Sequence, residues 1–126
     1  MAISDEQFVS AIKAVSAVEG IYMDPNDLAD DVFLLSYAWP DSEDFEPAVA
    51  NTCRALSQIA GNIVCGTPLE GRYAEWRSFH YQHKRAQGAK ADMRIIFQRR
   101  DGSIIVKGFG HRYIPADIYS RLSQTR

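Results

Sequence analysis

The chain is predicted to fold as an α+β domain, with two or more helices packed on one face of a four-stranded, mainly antiparallel sheet. Three observations predict it. Apolar residues recur at three- and four-residue spacing in two long segments; a strong tight-turn signal joins two apolar strands late in the chain; and 46% hydrophobic content in 126 residues suffices for one core but not two. One domain is therefore expected over residues 1–126, divided into an acidic N-terminal helical extension, 1–31, and a core, 32–126.

In "SDEQFVSAIKAVSAVEG", Ser4 is placed as a helix cap and Asp5 and Glu6 fall in the first turn. Phe8, Ala11, Ile12 and Val15 share one face, and Gly20 stops the helix. "IYMDPNDLADD" mixes Pro, Asn and Asp and predicts a connection with about one helical turn. "VFLLSYA" is a short apolar run without helical period, which predicts a buried strand. The main helix is expected in "WPDSEDFEPAVANTCRALSQIAGN", where Phe45, Val49, Cys53, Leu56 and Ile59 recur every three or four residues and Gly61 closes it. A loop with Gly66, Pro68 and Gly71 leads to "YAEWRSFHYQHK", whose aromatic content favours a strand. "RAQGAK" is the next connection.

"ADMRIIFQRR" and "SIIVKGF" then meet at Asp101-Gly102, a pair suited to positive φ at both turn positions. Placing Arg100 opposite Ser103 pairs Gln98 with Ile105, Ile96 with Lys107 and Arg94 with Phe109. Met93, Ile95, Phe97, Ile104 and Val106 form an apolar face that a helix must cover. Arg94 and Lys107 fall on the opposite, open face, and continued alternation adds His111 to it. Near the end of the chain, "PADIYSRL" predicts a short helical turn with Ile118 and Leu122 packed inward and Tyr119 beside them.

Charge is divided along the chain. Through Ala50 there are eleven acidic residues against Lys13 alone, a formal −10; from Asn51 onward thirteen Lys or Arg face five acids, +8. Two readings stay open: a polyanion-facing half beside an acidic half, or opposite charges mixed over the folded surface. Cys53 and Cys65 lack metal-ligand spacing and read as inert thiols. No stretch approaches the length of an apolar membrane span, and the first residues lack the pattern of a secretion signal, so a cytoplasmic protein without membrane contact is expected.

The open face of the hairpin carries groups suited to RNA. Attack of a ribose 2′-hydroxyl on the adjacent phosphate needs a proton acceptor, a proton donor and cations for the charge gathering on phosphorus, with no obligatory metal. Histidine transfers protons near neutrality, guanidinium groups fork onto phosphate oxygens, and aromatic rings stack bases. Plainer readings stand beside these. His111 is either a proton carrier or a residue bonded to backbone, Arg94 and Lys107 are either ligands or solvated strand residues, and Tyr119 is either a site residue or a flank to packed neighbours. His80, His83, Lys84 and Arg85 add positive potential or form a solvated basic edge.

The order of strand, long helix, "TPLEG" loop, aromatic and basic strand, "ADMRIIFQRRDGSIIVKGFGHR" hairpin and following Ile-Tyr resembles the RelE/ParE superfamily of toxins from toxin–antitoxin systems. The likeness spans roughly residues 32 to 122 and is most specific in 91 to 119. It implies a microbial-ribonuclease-like fold and a cytoplasmic toxin held by a cognate antitoxin. On the RelE side the target is mRNA on the ribosome, cut without a cofactor. On the ParE side the protein binds gyrase instead, and an inactive scaffold is a further non-enzymatic outcome. Carried over residue by residue, the resemblance implies catalytic roles for Arg94, His111, Arg112 and Tyr119, and RNA-binding roles for Arg77, Lys84, Lys90, Lys107 and Tyr113. "YIPAD" lengthens the usual path from the Arg of "GHR" to the terminal Tyr, so Tyr113 is the other candidate for that place. The acidic extension is atypical of such toxins; it is expected to dock against the basic half, to form a partner surface, or to pack as a surface helix.

Overall fold

A computed structural model of the chain describes residues 2–82 and 91–126. Among these residues the elements run α1 (Asp5–Ser16), β1 (Ile21–Tyr22), α2 (Pro25–Ala38), α3 (Ser42–Ala60), β2 (Thr67–Pro68), β3 (Arg77–Tyr81), β4 (Met93–Arg100), β5 (Ser103–His111) and α4 (Ile118–Thr125). The fold is α+β. Its sheet has five strands in the order β1-β5-β4-β3-β2 and is mixed: β1 runs parallel to β5, and the other pairs are antiparallel. Three of the four expected strands form, and two-residue edge strands at either side, too short to leave a periodic signal, bring the number to five.

Ser4 caps α1 in a reciprocal capping box, accepting from the Gln7 N–H while its own N–H donates to Gln7 Oε1 at 2.8 Å. Gly61 ends α3 as expected. The region between them departs from expectation. "VFLLSYA" is not a strand but the C-terminal half of α2, which starts at Pro25 behind the Asp24 cap. Asp24 Oδ1 accepts from the N–H groups of Asn26 and Asp27, and proline at the first helical position loses no hydrogen bond. Leu28, Val32 and Leu35 then fall on one buried face, a helical spacing that spans the boundary between the two segments and is invisible within either. α1 and α2 are thereby built into the main core, where Val15 and Val32 are fully buried beside Phe45, Leu56, Ile95, Phe97 and Phe109.

The Asp101-Gly102 turn forms with φ of 51° and 79°, and Arg100 pairs with Ser103 and Gln98 with Ile105 as expected. The register then slips. Phe97 pairs with Val106 and Ile96 with Gly108, so Lys107 is the extra residue of a β-bulge. Arg94 therefore lies opposite Gly110 rather than Phe109, and Met93 lies opposite His111. The bulge inverts the facing of everything after it: Phe109 enters the core with Met93 and Ile95, and Gly108 and Gly110 take the other face.

That other face is not free of helix, contrary to expectation. Ile118 and Leu122 of α4 are fully buried there against Ile96 and Tyr73. Burial of side chains of this size contributes about 1.5–3 kcal/mol each. Gly108 makes the approach possible, since a Cβ at that position would stand 2.5 Å from Leu122 Cδ2. Helices thus cover both faces of the sheet.

α2, β5 and α4 are joined by a buried ion cluster. Asp31, at 0% exposure, accepts from Arg121 Nη1 at 2.7 Å, from Arg126 Nη1 and Nη2 at 2.8 Å each, and from the Phe109 N–H at 2.9 Å. Arg126 also pairs with Asp27 at 3.2 Å. Here the acidic first half and basic second half of the chain neutralise one another.

Candidate nucleic-acid interface

The sheet presents one end at which β3, β4 and the end of β5 carry cations side by side. His80 pairs with Arg94 across β3 and β4, and Arg94 pairs with Gly110 of β5. Arg94 is held by its own strand end: Nη1 donates to the carbonyls of Ala91 at 2.7 Å and Met93 at 3.0 Å. Arg112 follows β5, with its N–H on the Asp92 carbonyl at 2.8 Å and its carbonyl receiving the Ile118 N–H at 3.0 Å. Those two bonds fix its backbone between the sheet and α4. Its guanidinium lies 4.8 Å from the centroid of Tyr113 and 4.6 Å from that of Tyr119, a cation against two rings.

Tyr119 is positioned at both ends. Its hydroxyl pairs with Ser78 Oγ at 2.8 Å, and its carbonyl receives the Tyr73 hydroxyl. Asp117 caps α4, accepting from the Tyr119 N–H at 2.9 Å, and forms an ion pair with Arg112 Nη1 at 2.7 Å. Chiefly through that bond, the Asp117 carboxyl is held below its usual range and the Arg112 guanidinium is raised.

His80 is exposed on the face that holds Ser78 and Tyr119. Partial loss of hydration, followed by the charges of Arg94 and Arg112, lowers its pKa below the ordinary imidazole value. A neutral imidazole beside two guanidinium groups can accept a proton, while the guanidinium groups attract an anion. His111 sits at the same end but on the core side of the strand, its ring 6.1 Å from that of Trp39. Its Nδ1 accepts the N–H groups of Tyr113 and Ile114, both at 3.0 Å. The backbone-bonded reading of His111 is the one its contacts match, and the bulge is the reason it leaves the expected face.

The remaining expected contacts divide. Tyr113 and Tyr119 are both at Arg112, so the longer "YIPAD" path, which includes a cis peptide bond at Ile114-Pro115, still returns Tyr119 to the site. Arg77 does not join it: opposite Phe97, it turns toward the carbonyls of Cys65 and Gly66. Lys107 is on the expected face but in a separate setting, with Nζ donating to the Arg126 carbonyl at 3.1 Å and lying 5.0 Å from the Trp76 ring centroid. Lys84 and Lys90 lie outside the described residues.

Sequence reasoning undervalued His80 and passed over Ser78, Asp117 and Asp31. Asp117 had a legible signal, an Asp directly before a short helical pattern. Asp31 had one as well, an acid within the apolar spacing of Leu28, Val32 and Leu35. Among the described residues, no cluster of three or more His, Cys, Asp or Glu is arranged to hold a metal ion. No helix among them is long and apolar enough to cross a membrane. Comparison of the chain with protein-family models, curated proteins and solved structures found no significant match.

Proposed function

We propose that the chain is a RelE-like toxin that binds single-stranded RNA at this sheet end and cleaves it, with mRNA on the ribosome as target and a cognate antitoxin as partner. The observation that carries this reading is the grouping of His80, Arg94, Arg112, Tyr113 and Tyr119 at one end of the sheet. The element order supports it too: helices, a meander of three antiparallel strands, then a short helix that returns a tyrosine to the arginine after "GH".

In this mechanism Arg94 and Arg112 hold the non-bridging oxygens of the scissile phosphate and stabilise the charge that builds on them. His80, neutral because its pKa is lowered, removes the 2′-hydroxyl proton as that oxygen attacks phosphorus. The Tyr119 hydroxyl supplies a proton to the departing 5′-oxygen, leaving a 2′,3′-cyclic phosphate and a free 5′-hydroxyl. Tyr113, 66% exposed, offers a stacking surface for a neighbouring base.

Inducible expression followed by mapping of transcript ends tests the reading. Growth arrest with transcripts broken within codons is expected, and Arg94→Ala or His80→Gln is expected to lower the cleavage rate by about 100-fold while leaving the fold intact. Intact transcripts with impaired DNA supercoiling would replace it with the gyrase-binding alternative. Neither arrest nor cleavage would leave a non-enzymatic scaffold, the reading that the existing pairing of Arg112 with Asp117 favours.

A further inference from the structure

Arg112 is the most elaborately held cation at the sheet end, yet its charge is already answered from within the chain. Asp117 Oδ1 lies 2.7 Å from Arg112 Nη1, and the two side chains keep 22% and 42% of their exposure, so the pair stands at the mouth of the site rather than inside the core. Tyr113 and Tyr119 both stand against the guanidinium, with ring centroids 4.8 and 4.6 Å from its carbon, and an anion bonds to the N–H edge. That edge is where the Asp117 carboxylate sits. The same oxygen accepts from the N–H groups of Tyr119 at 2.9 Å and Ser120 at 3.4 Å, so the carboxylate occupies a small set of donors suited to a phosphate oxygen.

We infer that Asp117 is a specificity-determining residue: an internal carboxylate that occupies the phosphate position on Arg112 and must be displaced by any ligand that binds there. The inference rests on the proposed RNA-binding role of this site. A single carboxylate on a ligand gains little by exchanging with one already in place. A phosphodiester chain gains more, because the phosphate that displaces Asp117 also engages Arg94, the flanking phosphates add their attraction to the cationic sheet end, and the bases can stack on Tyr113. Asp117 therefore biases the site toward polyanionic strands and against isolated small anions. A partly exposed ion pair of this kind is weak enough for such exchange.

The test uses the full chain and a fluorescently labelled single-stranded oligoribonucleotide, with binding read by anisotropy at low salt. Asp117→Asn keeps an oxygen able to cap α4 and removes the competing charge; Asp117→Ser is a second capping variant of different shape, and circular dichroism checks that both fold. Both are expected to bind the oligonucleotide about fivefold more tightly than the unaltered chain. Inorganic phosphate should compete with the oligonucleotide more effectively on both variants. The gain should vanish in an Arg112→Gln background. Unchanged or weaker binding by both folded variants, with binding still dependent on Arg112, overturns the inference while leaving the RNA-binding role in place. Failure of the unaltered chain and of all variants to bind the oligonucleotide overturns both.

Discussion

His111 shows how one side chain can be tied to protonation by its neighbours rather than by catalysis. Loss of hydration is the main cause that lowers its pKa, the charge of Arg94 adds to it, and Asp92 opposes it. Protonation at Nδ1 would also remove the acceptor for the N–H groups of Tyr113 and Ile114. With the folded-state pKa below the unfolded one, the contribution to stability is complete above the ordinary value of 6.5 and declines as pH falls through the folded-state value. The thermal midpoint is therefore expected to fall between pH 7 and pH 5, and His111→Asn, which keeps an acceptor that does not titrate, should flatten that fall. His80 shifts in the same direction and leaves a residual slope. An equal slope in the variant would show that His111 plays no such part.

At the scale of elements, the hairpin and α4 are fitted to each other through a single glycine. The tight turn and the first pairs after it were legible, because Asp-Gly is one of few sequences that adopt both turn positions without strain. The bulge at Lys107 was not, since no local rule in "IIVKGFG" marks which residue is extra. It resolves a conflict instead. Without it, Phe109 would face away from the core and the lysine would pair across from Ile96. With it, Phe109 is fully buried, and two glycines lie beneath α4. Gly108→Ala brings a methyl group within 2.7 Å of both Leu122 methyl carbons and 2.8 Å of Arg126 Nη1. It is expected to destabilise the fold by about 1–3 kcal/mol, read as a lower urea midpoint. A midpoint equal to that of the unaltered chain would mean α4 is less closely seated than its packing implies.

Across the whole molecule, the divided charge that first suggested a polyanion-facing half is partly consumed inside the fold. Asp27 and Asp31 from the acidic half hold Arg121 and Arg126 from the basic half, and Asp31 adds the Phe109 N–H. The N-terminal elements are therefore part of the core and of its ion cluster rather than a detachable cover. Removing the acceptor takes the carboxylate partner from Arg121 and from the Phe109 N–H together, and leaves Arg126 with Asp27 and backbone carbonyls. Asp31→Ala is expected to cost about 3–5 kcal/mol in equilibrium unfolding, far more than loss of an exposed ion pair. A cost below 1 kcal/mol would show that water replaces the carboxylate.

The features legible from residue order alone were local: the capped first helix, the long helix ending at Gly61, the Asp-Gly hairpin with its apolar face, and the helical turn that carries Tyr119. Each depends on groups within a few residues of one another, where spacing and backbone preference are enough. Contacts across the fold settled that "VFLLSYA" continues a helix, that His111 turns to the core, that a helix lies on the second face, and that His80 shares the sheet face of Arg94. These depend on contacts between distant parts of the chain, Asp31 with Arg126 and Gly108 with Leu122, whose geometry exists only after the sheet has paired.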